Sequence, residues 1–147
     1  MKVTDLMLGD LILINNTPHR IEAIDGIDAE ILADDNLYYV GEDRYRSEDK
    51  IEGIPITPEI LEKNGWHFSV VTKVTTGEDG YWVYEEGGIE LSLHFPIRPF
   101  AGLLRIFDKW LIRRMPDFMW KDTLYVHELQ HALRLCRLDE LADNFKV

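Results

Sequence analysis

The sequence predicts an α+β fold in which short antiparallel strands outnumber helices, and three observations support this prediction. Short runs of alternating apolar and polar residues, separated by turn-forming residues, recur through the first 95 positions. The segment Thr57–Gly65 carries the start and stop signals of a short helix. Near the C-terminus, Tyr125–Cys136 has the clearest helical pattern, because its apolar residues recur every three to four positions.

The N-terminal segment, residues 1–56, is expected to form a small β unit. Four stretches have strand-like patterns: Leu11–Ile14, His19–Ile24, Ile27–Ile31 and Leu37–Val40. Turn-forming residues such as Asp25-Gly26 separate them. The opening Leu6-Met7-Leu8-Gly9-Asp10, followed by such strands, resembles SH3-like barrels. We therefore predict a small SH3-like β-barrel or a rolled sheet for this segment.

A short helix is predicted to link this unit to the remainder of the chain, residues 57–147. Thr57 can cap the helix, Pro58 suits its first turn and Gly65 can stop it. Residues 66–95 then predict an antiparallel β-meander of about three strands, packed with C-terminal helices. We expect the two segments to form one compact domain.

Between Pro99 and Pro116 the spacing of apolar residues predicts an amphipathic, mildly basic helix. Its apolar face could pack on the meander, form a dimer or partner surface, or lie on a membrane. The membrane alternative is the weakest, since the acidic remainder of the chain would be repelled by anionic lipids. The candidate partner-binding residues are Phe100, Leu103, Leu104, Phe107, Trp110 and Leu111.

The predicted C-terminal helix contains the sequence pattern H-E-x-x-H, formed by His127, Glu128 and His131. Residues four apart lie on one face of a helix, so the two imidazoles could bind one zinc ion. Glu128 would then act as general base on a zinc-bound water, as in zinc metallopeptidases. A catalytic zinc needs a third protein ligand, and the sequence does not identify one. The alternative is that these polar residues cap and pack a structural helix.

Composition and charge limit the function classes. The net charge is −11, and residues 1–97 carry 7 basic and 20 acidic groups. Such an acidic surface would repel nucleic-acid backbones, so we predict no nucleic-acid binding. No apolar run reaches the length of a membrane span, and we see no signal peptide. Cys136 is the single cysteine, which favours a cytoplasmic protein with a structural thiol.

Three strings together carry a family resemblance: the L-x-x-G-D opening, Ile51–Trp66 (IEGIPITPEILEKNGW) and Tyr125–Cys136 (YVHELQHALRLC) with the ending ADNFKV. With these strings the chain resembles a family of small uncharacterised proteins from gut bacteria and their phage-like mobile elements. The resemblance implies no established activity. It also implies Gln and Asn at the positions of Glu128 and His131 in relatives, which disfavours a zinc site. Many relatives have Gly, a natural helix stop, where Arg137 stands.

We therefore predict a non-enzymatic, acidic protein-interaction protein of mobile-element or phage-like origin, without a cofactor. Its partner would be another protein, and a homodimer is a further possibility. One alternative is a minimal zinc metallopeptidase that uses the H-E-x-x-H residues. The other is a small-ligand binder with a site at the strand mouth near Trp82 and His94.

Overall fold

The protein is described by a computed structural model covering residues 1–41, 49–73, 77–94, 102–110, 112–114, 117–120 and 123–147. The chain divides into two compact units. The first unit comprises Met1–Pro55, Tyr125–Phe145 and Val147, and the second comprises Ile56–Leu124 and Lys146. One change of unit falls near position 56. The C-terminal helices, however, belong to the first unit and not to the one that holds the meander.

The first unit contains six short strands. They are β1 (Leu11–Ile14), β2 (Thr17–Arg20), β3 (Ala23–Asp25), β4 (Glu30–Ala33), β5 (Asn36–Tyr39) and β6 (Ile51–Gly53). Two antiparallel sheets result, with the strand orders β2-β1-β6 and β3-β4-β5. Over the part of the chain that is described, they are separate sheets and not one closed barrel, so the SH3-like detail of the prediction remains a proposal.

Two tight turns set the register of these sheets. Asn15 and Asn16 have φ angles of 52° and 66° between β1 and β2. Asp34 and Asp35 have φ angles of 49° and 62° between β4 and β5. Two-residue hairpin turns of type I′ have positive φ at both positions, and Asn and Asp tolerate it better than other non-glycine residues. The turns therefore place one face of each strand inward, and that face forms the core of the unit: Val3, Leu6, Ile12, Ile14, Ile21, Ile31, Ala33 and Val40.

The second unit is built on one antiparallel sheet. Its strands are β7 (His67–Lys73), β8 (Gly77–Glu86), β9 (Ile89–His94), β10 (Gly102–Asp108), β11 (Arg113–Arg114) and β12 (Phe118–Trp120). The order is β11-β10-β9-β8-β7, and β12 also pairs with β10. Helix α1 (Pro58–Lys63) precedes the sheet and is capped by Thr57, whose hydroxyl accepts a hydrogen bond from Ile60 N. The predicted meander and linking helix are thus present.

The predicted amphipathic helix between Pro99 and Pro116 is wrong, because Gly102–Asp108 forms strand β10. Leu104 and Ile106 are buried and alternate with the exposed Arg105, which is the period-two pattern of a strand. Strand β10 pairs with the full length of β9. This backbone pairing stabilises the strand more than the spacing of apolar residues along the whole segment favours a helix. Phe100 and Leu111 lie outside the described residues.

The C-terminal segment forms α2 (Val126–Leu135) and α3 (Asp139–Asp143). Helix α2 ends at Leu135, and Arg137, the residue after the C-cap Cys136, has a φ of 60°. Arg137 N donates to Arg134 O and Leu138 N donates to Leu133 O, the hydrogen-bond pattern of a Schellman cap. This left-handed position favours glycine, so Arg137 ends the helix with strain. Phe145 is buried and fixes the tail in the first unit.

In the described parts of the chain, no helix is both long and apolar enough to span a membrane.

Candidate functional site

Helix α2 presents the H-E-x-x-H residues from a well-capped, largely buried position. The apolar residues Val126, Leu129 and Leu133 are buried and explain why this segment folds as a helix. Glu128 caps the first turn, since its Oε2 accepts a hydrogen bond from Tyr125 N at 3.0 Å. The N-cap residue of α2 is Tyr125.

His131 and Arg134 bind the side chain of Asp10, which is 0% exposed. Nε2 of His131 lies 2.7 Å from Oδ2 of Asp10, and Nη1 of Arg134 donates to Oδ1 at 2.7 Å. Met7 N donates to Oδ2 at 2.7 Å. The carboxylate thus has three short hydrogen bonds, and it joins the L-x-x-G-D opening to the C-terminal helix. Two of the strings that carry the family resemblance therefore meet in space.

Gln130 makes a second connection between α2 and the N-terminal segment. Its side-chain oxygen accepts a hydrogen bond from Leu11 N at 2.9 Å. Its amide nitrogen donates to Gly9 O at 3.1 Å and to Ala142 O at 2.8 Å. All of the polar atoms of this buried amide are therefore used in holding helix to strand, which is a structural role.

His127 has no such partner. It is 5% exposed, its Nδ1 is buried without a hydrogen bond, and burial lowers its pKa to about 4. The ring stacks on Tyr125, with centroids 5.7 Å apart and planes 14° apart. An unsatisfied buried ring nitrogen costs stability, so its presence needs an explanation.

The zinc interpretation therefore meets residues that have other partners. His131 is bonded to Asp10 and Glu128 is bonded to Tyr125 N. Over the described ranges, no three His, Cys, Asp or Glu side chains are grouped closely enough to hold a metal ion. Of the further histidines that could have served as a third ligand, His19 is bonded to Asp34. This geometry favours a structural use of the motif, and metal binding itself stays a question for measurement.

The predicted partner-binding residues separate onto two faces of the sheet. Leu104 is fully buried, whereas Leu103 and Phe107 lie on the opposite face because successive strand residues alternate. Phe107 is 37% exposed and Trp110, in the turn after β10, is 79% exposed. Ile112, which the sequence interpretation did not select, is 81% exposed. The only sequence feature that could have indicated Ile112 is its position two residues after Trp110.

The structure places Trp82 and His94, near which a ligand site was predicted, on opposite faces of the sheet. Trp82 pairs with Leu93, so Trp82 lies on the same sheet face as Leu93 and His94 lies on the other. Trp82 is buried against Phe68, with ring centroids 5.4 Å apart, and His94 stacks on Tyr81 at 4.9 Å. A ligand site near these two residues stays a prediction.

Sequence reasoning did not identify Asp10 and Gln130, which link the two ends of the chain. For each of them the sequence contains a feature that could have indicated this role. Asp10 directly precedes the buried strand β1, and Gln130 lies between Leu129 and Ala132 on the buried side of α2. Polar residues at such positions are usually paired with each other or with the backbone.

Comparison with known proteins adds no assignment: no protein-family model, no curated protein and no solved structure matches this chain.

Proposed function

We propose that this chain is a non-enzymatic protein-binding module that engages another protein through an apolar corner of the second unit. The apolar corner consists of Phe107, Trp110 and Ile112. The observation that carries the proposal is the exposure of Trp110 and Ile112, which far exceeds what packing of the unit requires. Exposed clusters of large apolar side chains are typical of interaction surfaces, and tryptophan is enriched among the residues that dominate binding energy.

The position of Trp110 is defined although its ring is exposed. Its indole lies where a side chain at Gly88 would have to be, so glycine is required there. Gly88 also has a φ of 81°, and its carbonyl accepts a hydrogen bond from Lys109 N at 2.8 Å. The indole therefore packs against the turn between β8 and β9. A preoriented aromatic ring loses less conformational entropy on binding than a free one.

Charged residues surround the apolar corner. Nζ of Lys109 lies 2.8 Å from Oε1 of Glu85 and 3.3 Å from Oε2 of Glu90. Hydrogen bonds to these two carboxylates raise the pKa of Lys109, which is therefore charged at neutral pH. A polar rim around an apolar centre is the usual arrangement of protein interfaces. Together with the net charge of −11, it favours a partner with an apolar pocket and a basic rim.

The proposal is tested by comparing wild type with Trp110→Ala and with the matched control Ile27→Ala. Ile27 is even more exposed than Trp110 but lies in a turn of the first unit. Tagged proteins are expressed in the native host, and the partner that wild type retains stoichiometrically is purified for calorimetry. We expect Ile27→Ala to bind like wild type and Trp110→Ala to bind at least about 30-fold more weakly.

Equal affinity of wild type and Trp110→Ala would overturn the assignment of this surface. Light scattering on the purified chain distinguishes a second copy from a different partner. A dimer that dissociates in Trp110→Ala, but not in Ile27→Ala, would identify the partner as a second copy of this chain.

The proposal also includes a mobile-element or phage-like origin, an SH3-like relationship of the first unit and a cytoplasmic location. The first two rest on the sequence strings, two of which meet at Asp10. The location is supported by the lone Cys136, a free thiol whose pKa is raised by burial. Such a thiol is suited to a structural role in a reducing compartment.

A further inference from the structure

The first unit contains a cavity of about 430 Å³ beside the start of helix α2. Three carboxylate residues, Asp5, Glu52 and Glu128, are part of its lining, together with Tyr125 and His127. This volume lies within the range of small-molecule sites. The cavity is separate from the apolar corner, because all of its lining residues belong to the first unit.

His127 is the second observation that indicates a ligand. It is the buried imidazole described above, with an unpartnered Nδ1 and no hydrogen bond to protein. A side chain built at Gly53 would bring its Cβ within 3.0 Å of Cε1 of His127, the carbon between the two ring nitrogens. The ring edge that carries Cε1 therefore packs against Gly53, and both residues line the cavity. At neutral pH the ring is uncharged, because burial lowers its pKa, and it can accept one hydrogen bond.

Gly53 lets the rings of Tyr125 and His127 pack closely against its backbone at this wall of the cavity. The same Cβ would lie 2.6 Å from the ring of Tyr125, a distance that real Cβ atoms do not show. Tyr125 and His127 stack on one another and so form a flat aromatic surface beside the glycine. Such a surface can pack against an aliphatic chain and can attract a cation through its π-electrons.

The carboxylates determine the charge of a suitable ligand. One oxygen of Glu128 binds Tyr125 N, and one oxygen of Asp5 binds Lys2 N at 3.0 Å. Glu52 forms an ion pair with Lys50 at 2.9 Å and is partly exposed. Met1 also lines the cavity, and its ammonium group is one positive charge against these three carboxylates. Further lone pairs remain on the carboxylates, so the cavity attracts cations. Among the residues with described positions, no three potential ligands are close enough for a metal ion, which favours a longer organic cation.

We propose that this cavity binds a primary ammonium group carried on a short alkyl chain. The ammonium group would donate hydrogen bonds to the carboxylates and lie beside the uncharged ring of His127, and the alkyl chain would lie on Tyr125. A free diamine and a lysine side chain of a peptide share this chemistry.

Calorimetric titration of the full chain tests the proposal with four probes. Putrescine represents the free amine, a peptide with one lysine represents the side chain, 1,4-butanediol is the neutral counterpart and zinc chloride is the metal alone. We expect putrescine or the lysine peptide to bind and the diol not to bind. The tighter of the two amines identifies the source of the ligand.

Two variants and one control locate the site. Glu52→Gln removes one cavity charge from the edge strand β6 and should weaken amine binding about tenfold, since hydrogen bonds to charged groups are strong. Glu22→Gln, at an exposed position of the same unit that is not part of the cavity lining, should bind like wild type. His127→Phe should also weaken binding, and the imidazole resonances of wild-type His127 should shift on titration.

Several results would overturn the proposal: no binding of either amine at millimolar concentration, equal binding by Glu52→Gln and wild type, or equal binding of the diol. Stoichiometric binding of zinc in place of the amines would also overturn it. Trp110→Ala should not change amine binding, so failure of this proposal and failure of the partner-binding proposal are distinguishable.

Discussion

Replacing Asp10 with alanine should lower the free energy of unfolding of the first unit by about 4 kcal/mol. The substitution removes the acceptor of three hydrogen bonds of 2.7 Å each, from Met7 N, His131 and Arg134. Hydrogen bonds to a charged group contribute about 1.5–3 kcal/mol each, but the groups left behind can regain part of this from water. The loss is therefore closer to the cost of breaking one buried ion pair than to the full sum.

The assay has to follow the first unit specifically. Tryptophan fluorescence reports on the second unit, because all four tryptophans lie within Ile56–Leu124. Hydrogen exchange measured by mass spectrometry resolves peptides from Val126–Leu135 and from Leu11–Ile14 instead. A loss of 4 kcal/mol corresponds to a fall in amide protection of about a thousandfold in these peptides. The control Asp35→Asn removes one negative charge at an exposed turn and should change protection little.

A double-mutant cycle with Arg134→Ala completes the test. If the carboxylate and the guanidinium stabilise each other, the double variant should cost at least about 1.5 kcal/mol less than the two single variants together. Additive costs, or a loss below about 1 kcal/mol for Asp10→Ala, would show that the network is not what connects α2 to the N-terminal segment.

Three further predictions concern the C-terminal segment. Arg137→Gly should raise the free energy of unfolding by about 1 kcal/mol in urea denaturation, because glycine adopts the φ of 60° without strain; Leu135→Gly, inside the helix, should lower it. Stability should fall by about 3 kcal/mol between pH 6.5 and pH 4 from His127 alone, since its pKa is about 4 when folded and near 6.5 when unfolded. His127→Phe should remove this part of the pH dependence, and an unchanged pH profile would contradict it. Elemental analysis should find little zinc in untagged protein, whereas about one zinc per chain that is lost in His131→Ala would establish a zinc site and lead to peptidase assays with Glu128→Gln as the control.

Local patterns predicted those parts of the fold that depend on neighbouring residues. Helix α1 follows from Thr57 and Pro58 at its start, and the turns at Asn15-Asn16 and Asp34-Asp35 follow from residues that tolerate positive φ. Strand β9 follows from strict alternation. In each of these cases the physical cause lies within a few residues of the element.

The failures have long-range causes. The segment around Leu104 and Ile106 satisfies a helical spacing and a strand alternation equally, and only pairing with β9 decides between them. The partner of His131 lies 121 residues away at Asp10, so no local pattern could distinguish a structural ion pair from a metal ligand. Likewise, the cavity beside His127 combines residues from three parts of the chain, and sequence spacing cannot reveal it.

The chain leaves the first unit and returns to it at neighbouring positions. Pro55 pairs with Tyr125, Val126 N donates to Ile54 O, and Ile56 N donates to Leu124 O at 2.9 Å. During synthesis, residues 56–124 emerge before the segment that completes the first unit. The second unit, which is inserted into the first, can therefore fold before residues 125–145 are available to complete the first unit, its host. Because the two chain crossings are held side by side, an insertion of different size or sequence could replace residues 56–124 without changing the host. The architecture therefore allows the second unit, which carries the proposed partner-binding surface, to be exchanged as a whole.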